Sequence, residues 1–316
     1  MATASTIALA AFAVAALLNR HLSKKAERDN PPTGRFVQVG DVRLHYIERG
    51  TGDAVVLLHG NGSMVQDFES SGLVDLAAKE FRVIAFDRPG FGHSDRPRGR
   101  LWTPNAQADL IARALAKLGI SKAIVLGHSW GASVGTAMGI KHPALVRALV
   151  LASGYYYPSL RSDAVASLAP ALPLVGDIIS HTVLPLVVRA IWPMALRKAF
   201  GPQPVPENFS AFPKEMALRP SQLRASAEEA AMMVPDAFTM RGQYADLKMP
   251  VVIVAGDQDQ LIDVEAQSAR LHSAVPHSSL HRIRENGHMI QQTATDRVMS
   301  AIREAASGSA SRAAAE

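Results

Sequence analysis

The chain has 316 residues, 48% hydrophobic and 19% charged, the balance of a globular protein with a sizeable core. Lys and Arg number 33 against 28 Asp and Glu, a net charge of +5, and no long basic stripe points to a nucleic-acid partner. There is no cysteine, which excludes disulfides, thiolate metal sites and cysteine nucleophiles and leaves the compartment open.

Ala2 to Leu18 is uncharged and rich in Ala, Leu, Ile, Val and Phe. A bilayer-spanning helix needs about 17–25 such residues, so the stretch sits at the lower limit. The basic residues Arg20, Lys24, Lys25 and Arg28 come after it. A secretory signal peptide carries them before the apolar run. The order favours a signal anchor, with membrane association through residues 2–18 and the following domain in the cytoplasm. A cleaved signal, which places the protein in the periplasm or outside the cell, and a helix packed on the protein are the alternatives. Asp29 to Gly34 reads as a linker, so the first segment is 1–34.

Phe36 to Val39 and Val42 to Ile47 are short β-rich runs joined at Gly40-Asp41, a hairpin signal. Ala54 to Leu58, Val83 to Phe86, Ala123 to Leu126, Ala148 to Leu151 and Val251 to Ala255 are continuous apolar runs. Such runs suit strands buried on both faces of a parallel sheet. Helical patterns lie between them at Asn105 to Leu118, Ala132 to Lys141 and Val264 to Leu271. The alternation defines an α/β sheet. It stops after Leu151 and resumes at Pro250. The intervening 154–246 holds no strand pattern and reads as a helical insertion, with helices over Ile178 to Leu186, interrupted by Pro185, and over Ser221 to Val234. The remaining segments are 35–153 and 247–306 of the α/β core and a small polar tail, 307–316, expected to be disordered.

Gly127-His128-Ser129-Trp130-Gly131 follows one strand and precedes a helix. G-x-S-x-G in that setting is a nucleophile elbow, with Ser129 in a strained turn between glycines. A serine hydroxyl needs a base, and the base an orienting acid. His288, in a loop after the strand Leu280 to Ile283, is the candidate base. His128 abuts the elbow and reads as a structural histidine. Asp257 and Asp259 both follow the strand that ends at Ala255. Two amide donors must also face the oxyanion. The backbone N–H of Trp130 supplies one and that of Asn61, in His59-Gly60-Asn61-Gly62, the other.

With Asp87-Arg88-Pro89-Gly90-Phe91-Gly92-His93-Ser94 added, the chain resembles the α/β-hydrolase superfamily from about Arg35 to Ala306. It is most similar to the capped subgroup of carboxylesterases, cofactor-free haloperoxidase-type enzymes, C–C bond hydrolases, epoxide hydrolases and haloalkane dehalogenases. The resemblance implies an α/β-hydrolase fold: a mostly parallel eight-stranded sheet flanked by helices, with a helical cap inserted after the sixth strand. It implies Asp259 as the acid, on the family's G-x-x-D pattern, with Asp257 shaping the turn. Some relatives carry the acid after the preceding core strand, where this chain reads Ala152-Ser153-Gly154. Epoxide hydrolases and dehalogenases use an aspartate nucleophile, whereas Ser129 suits acyl transfer. The expected site is therefore Ser129, Asp259 and His288, with Asn61 and Trp130 at the oxyanion and no metal or organic cofactor. Tyr155, Tyr156, Tyr157, Trp192, Met194, Met232 and Met233 are candidates for an apolar pocket or for the core of the cap. The substrate is expected to be a small-to-medium, fairly apolar ester. The same triad acting on a C–C bond, lactone or amide or with peroxide is the second reading, and a non-catalytic binding relative the third.

Overall fold

The computed structural model describes residues 2–159 and 168–308. Of the tail expected at 307–316, Ser307 closes helix 295–307 and Gly308 caps it, while 309–316 lie outside the described residues. Strands β1 (Arg35–Val39) and β2 (Val42–Arg49) form the predicted hairpin, with Gly40 at φ 62° in its turn. β3 (Ala54–Leu58), β4 (Arg82–Phe86), β5 (Ala123–His128), β6 (Val146–Ala152), β7 (Val251–Gly256) and β8 (Ser278–Ile283) follow. They build one eight-stranded sheet in the order β1-β2-β4-β3-β5-β6-β7-β8. Pairing is parallel from β4 to β8 and antiparallel at β1-β2 and β2-β4.

The central strands are apolar throughout because both faces are covered. In β3, Val56 and Leu58 join one core with α4 (Pro104–Lys117) and α5 (Trp130–Lys141). Val55 and Leu57 join a second core with α2 (Gln66–Ser70), α3 (Leu73–Ala77) and the last helix. Thr103 caps α4 by accepting from the Ala106 amide at 3.2 Å.

Between β6 and β7 the described residues form helices and no strand: α6 (Leu168–Ala171), α7 (Val175–His181), α8 (Leu184–Phe200), α9 (Lys214–Ala217) and α10 (Pro220–Met240). The break between the first two long insertion helices falls at Thr182-Val183, ahead of Pro185, which sits in the first turn of α8. A proline there starts a helix rather than interrupting one, because that position has no intrahelical N–H bond to lose. Beyond β7 come α11 (Arg270–Ala274), α12 (Ile290–Thr293) and α13 (Thr295–Ser307).

The N-terminal segment is helix α1 (Ala2–Asp29). Its C-terminal half packs on the protein: Asn19 Nδ2 donates to the carbonyls of His181 and Thr182, Ala26 is buried, and Glu27 pairs with Arg219. Among the described residues no single helix is long and apolar enough to cross a membrane; α7 and α8, bent by 62°, reach that composition only as a pair.

Candidate active site

All the loops that carry chemistry leave the C-terminal ends of parallel strands, where α/β sheets place their sites. β5 ends at His128 and α5 starts at Trp130, so Ser129 makes the whole reversal, at φ 54° and ψ −118°. A non-glycine residue there is strained, and its surroundings must hold it. Ser129 N donates to Ala152 O at 2.9 Å and Ala132 N donates to Ser129 O at 3.0 Å. The flanking glycines are obligatory: a methyl at Gly127 would sit 2.2 Å from Gly131 O, and one at Gly131 2.1 Å from Leu58 O.

His288 follows β8 in a loop whose own amide donates to Ala199 O of α8 at 3.1 Å. Its Nδ1 donates to Asp259 Oδ2 at 2.7 Å. The other oxygen of Asp259 accepts from the amides of Leu261 and Ile262 at 2.8 and 2.9 Å. Burial pushes the Asp259 carboxyl up, but His288 and these two amides outweigh it and hold the group below the usual carboxylate range. With Nδ1 held by a carboxylate, Nε2 is the ring nitrogen turned to proton transfer. His128 is structural: Nε2 donates to His288 O at 3.0 Å, and burial, followed by the His288 charge, lowers its pKa to about 3.

The loop after β3 is braced from two sides. His59 donates from Nδ1 to Gly60 O and accepts at Nε2 from the Arg88 amide; burial lowers its pKa to about 3, so it stays neutral. Arg88, fully buried, donates to the carbonyls of His59 and Gly60 at 2.7 and 3.0 Å and forms an ion pair with Glu229 of α10, at 2.5 Å from Nη1. Gln107 donates to the same carboxylate at 2.8 Å. Asn61 reaches the insertion too, its Nδ2 donating to Ser226 O at 3.0 Å. The D-R-P-G-F-G segment thus ties the loop bearing the Asn61 amide to the insertion. Asp87, accepting from His45, His93 and Val65, braces the same region.

Ser129, His288, Gly60 and Asn61 line one cavity of about 560 Å³. Its remaining wall is mostly apolar and comes largely from the insertion: Trp192, Leu196, Phe200, Phe209, Phe212 and Met233. Trp192 and Met233 are therefore where a pocket requires them. Tyr155, Tyr156, Met194 and Met232 are not. Tyr155 and Tyr156 are buried in the core over α5, because Gln267 and Tyr244 hold the backbone of this stretch against the sheet. Met232 faces a separate hollow beside Trp102, and Met194 is exposed on α8. The Trp130 side chain is buried beneath the cavity, while its amide opens α5 next to Ser129. A larger cleft of about 720 Å³ lies elsewhere, walled by arginines already paired with carboxylates.

Two buried acids near the site carry no sequence motif. Asp67 lines the cavity and accepts from Gln291, Gln292 and Ser63. It ties the His288 loop to the Asn61 loop; the only sequence hint is the paired glutamines just past His288. Asp236 of α10 lies beside Trp130, Tyr155 and Tyr244, with Oδ2 unpartnered. Burial, with the Glu229 charge adding to it, raises its pKa from 3.8 to about 7. Between those two values the unfolded chain has released this proton and the native protein has kept it, so stability falls as pH rises through the window and levels off above it. Asp236→Asn should therefore raise Tm more at pH 8 than at pH 5, by at least about 2 °C in a domain of this size. Calorimetry at both pH values checks this; an equal change at the two would refute it.

Residues 53–295 match the family described as the alpha/beta hydrolase fold. The chain belongs to the α/β-hydrolase family. It is 24% identical over 285 residues to haloalkane dehalogenase 2 of Mycobacterium tuberculosis, a match covering 86% of this chain and 94% of that protein. It is 26% identical over 276 residues to 2-hydroxymuconate semialdehyde hydrolase of a Pseudomonas species, covering 84% and 91%. Among solved structures it is similar to a thermophilic esterase from Thermogutta terrifontis, at 23% identity and a TM-score of 0.69, covering 86% and 97%. The protein is a hydrolase of this family, with a small-molecule substrate.

Proposed function

We propose that the protein is a serine carboxylic ester hydrolase acting on a small-to-medium, fairly apolar ester through an acyl-enzyme on Ser129. The observation that carries the reading is Ser129 on a strained elbow, sharing an apolar cavity with a histidine whose Nδ1 is held by a buried carboxylate. Ser129 Oγ attacks the ester carbonyl as His288 Nε2 takes its proton, and Asp259 stabilises the imidazolium. The oxyanion lies between the amides of Asn61 and Trp130. Collapse expels the alcohol, which takes the proton from His288. Water, deprotonated by His288, then attacks the acyl-enzyme and releases the acid and Ser129. The insertion acts as a lid, and Trp192 and Met233 contact the acyl or alcohol part. Dehalogenation, the activity named for one relative, is disfavoured because that chemistry needs a carboxylate where this chain has Ser129. Likeness to the semialdehyde hydrolase supports C–C bond hydrolysis by the same triad as the second reading.

A fluorophosphonate should label Ser129, and a panel of p-nitrophenyl esters of increasing chain length should give turnover. Labelling without any ester turnover would favour the second reading, and absence of both would sink acyl-enzyme chemistry altogether.

A further inference from the structure

Exposed large apolar side chains are not scattered. Among the described residues, six lie on α1, nine between Leu172 and Met194, and three elsewhere. Isolated exposed apolar residues need no explanation, but a contiguous field of them does. The two groups are joined: Asn19, directly after Leu17 and Leu18 on α1, hydrogen-bonds the carbonyls of His181 and Thr182 at the joint of α7 and α8. One field therefore runs from Ile7, Phe12 and Leu17 across to Ile178, Val187 and Ile191.

We propose that this field docks on an anionic lipid bilayer and that the substrate is a long-chain acyl ester taken from that bilayer; the second clause rests on the ester reading above. Three observations favour lipid over a second copy of the chain. Leu9 to Val14 are all exposed, a run longer than one and a half helical turns. That segment is therefore apolar and bare on every side, as hydrocarbon surroundings allow, whereas a helix–helix contact covers one stripe. Arg20, Lys24, Lys25 and Arg28 are exposed along one side of α1 where it meets the protein, Lys25 paired with Asp29, and Arg197 and Lys198 are exposed at the end of α8. Cations bordering an apolar surface match the headgroups of an anionic leaflet. Finally, α8 has two working sides: Trp192, Leu196 and Ala199 line the cavity with Ser129, while Val187 and Ile191 face outward. The docking face is the outer side of the cavity wall. Residues 2–18, about 25 Å of helix, fall short of the roughly 30 Å hydrocarbon core, so α1 dips into the bilayer from one side.

Because the chain has no cysteine, a dye can be placed at one site. Full-length Ile178→Cys and, as control, Ser300→Cys on α13 would carry an environment-sensitive nitrobenzoxadiazole and be mixed with phosphatidylcholine/phosphatidylglycerol vesicles. Blue-shifted emission at Ile178, quenched by a lipid-borne quencher, with no change at Ser300, is expected. No shift at Ile178, or one that needs no vesicles and grows with protein concentration, overturns docking; the latter identifies a second copy as the occupant. The triple variant Ile178→Glu/Val187→Glu/Ile191→Glu should hydrolyse a soluble butyrate ester within about twofold of wild type and a vesicle-borne long-chain ester at least about tenfold more slowly. Equal loss on both substrates, or no loss on the vesicle-borne one, overturns delivery from the bilayer. Vesicle docking by a wild type that turns over neither ester overturns the long-chain ester substrate and the ester reading together, and leaves docking in place.

Discussion

Ser129→Ala should lower kcat on a soluble p-nitrophenyl ester by about 10⁵–10⁶-fold, the cost of deleting a serine nucleophile whose partners act as a unit. Asp259→Asn should cost about 10⁴-fold, because an amide cannot hold the His288 tautomer or stabilise its cation. The double variant should be no worse than Ser129→Ala alone, since acid and base have nothing left to activate. Asp257→Asn should cost far less than Asp259→Asn, because Asp259 is the residue bonded to His288 Nδ1. Steady-state kinetics on the four variants, with Tm measured alongside, test the assignment. A Ser129→Ala enzyme retaining a tenth of wild-type kcat would overturn it, and so would additive losses in the double variant.

Glu229→Ala should destabilise the protein by about 3–5 kcal/mol, the usual cost of stranding one charge of a buried ion pair. Arg88 and Glu229 have no solvent-exposed side-chain surface, and Gln107 shares the carboxylate. Removing it leaves a guanidinium with nowhere to be solvated. Glu229→Gln keeps an acceptor for Arg88 and Gln107 and should cost less. The damage should also reach the chemistry, because Arg88 holds the carbonyls of His59 and Gly60, and through them the amide of Asn61. Turnover by Glu229→Gln should fall mainly in kcat, which reports the oxyanion, and little in KM. A Tm for Glu229→Ala within about 2 °C of wild type would show that the pair carries no weight.

These two variants mark where the sequence speaks and where it is silent. Ser129 and Asp259 each follow a strand whose apolar run is visible locally, His288 follows the mixed strand Ser278–Ile283, and each sits in a short pattern of its own. The alternation of runs and helical patterns also sets the sheet, because burial on both faces leaves no other composition for the central strands. Glu229 has no such neighbourhood. It lies in a polar stretch of α10, and its partner Arg88 is 141 positions away. Asp67 is likewise joined to Gln291 across 224 positions. Such pairs exist only once distant segments have met: Arg88 and Glu229 when the insertion docks, Asp67 and Gln291 when the chain after β8 returns to α2. Side-chain direction in the insertion is illegible for the same reason. Trp192 and Met233 face the cavity and Met232 does not, although all three are apolar residues on helices, and the choice is made by how α8 and α10 settle on the core. Tyr155 and Tyr156 follow β6 so closely that the hydrogen bonds of Gln267 and Tyr244 fix them inward.

The β6–β7 junction has a consequence for assembly. Leu149 pairs with Val251 in register, yet the whole insertion separates them in sequence. Every residue before it, including Ser129 and Asn61, belongs to one stretch of chain, and Asp259 and His288 belong to the other. A cut anywhere in the insertion would leave two pieces, one owning Ser129 and Asn61 and the other Asp259 and His288. On the acyl-enzyme reading neither should turn over substrate alone, so turnover would report whether the two halves have re-formed the β6–β7 pairing and the core between α2, α3 and α13.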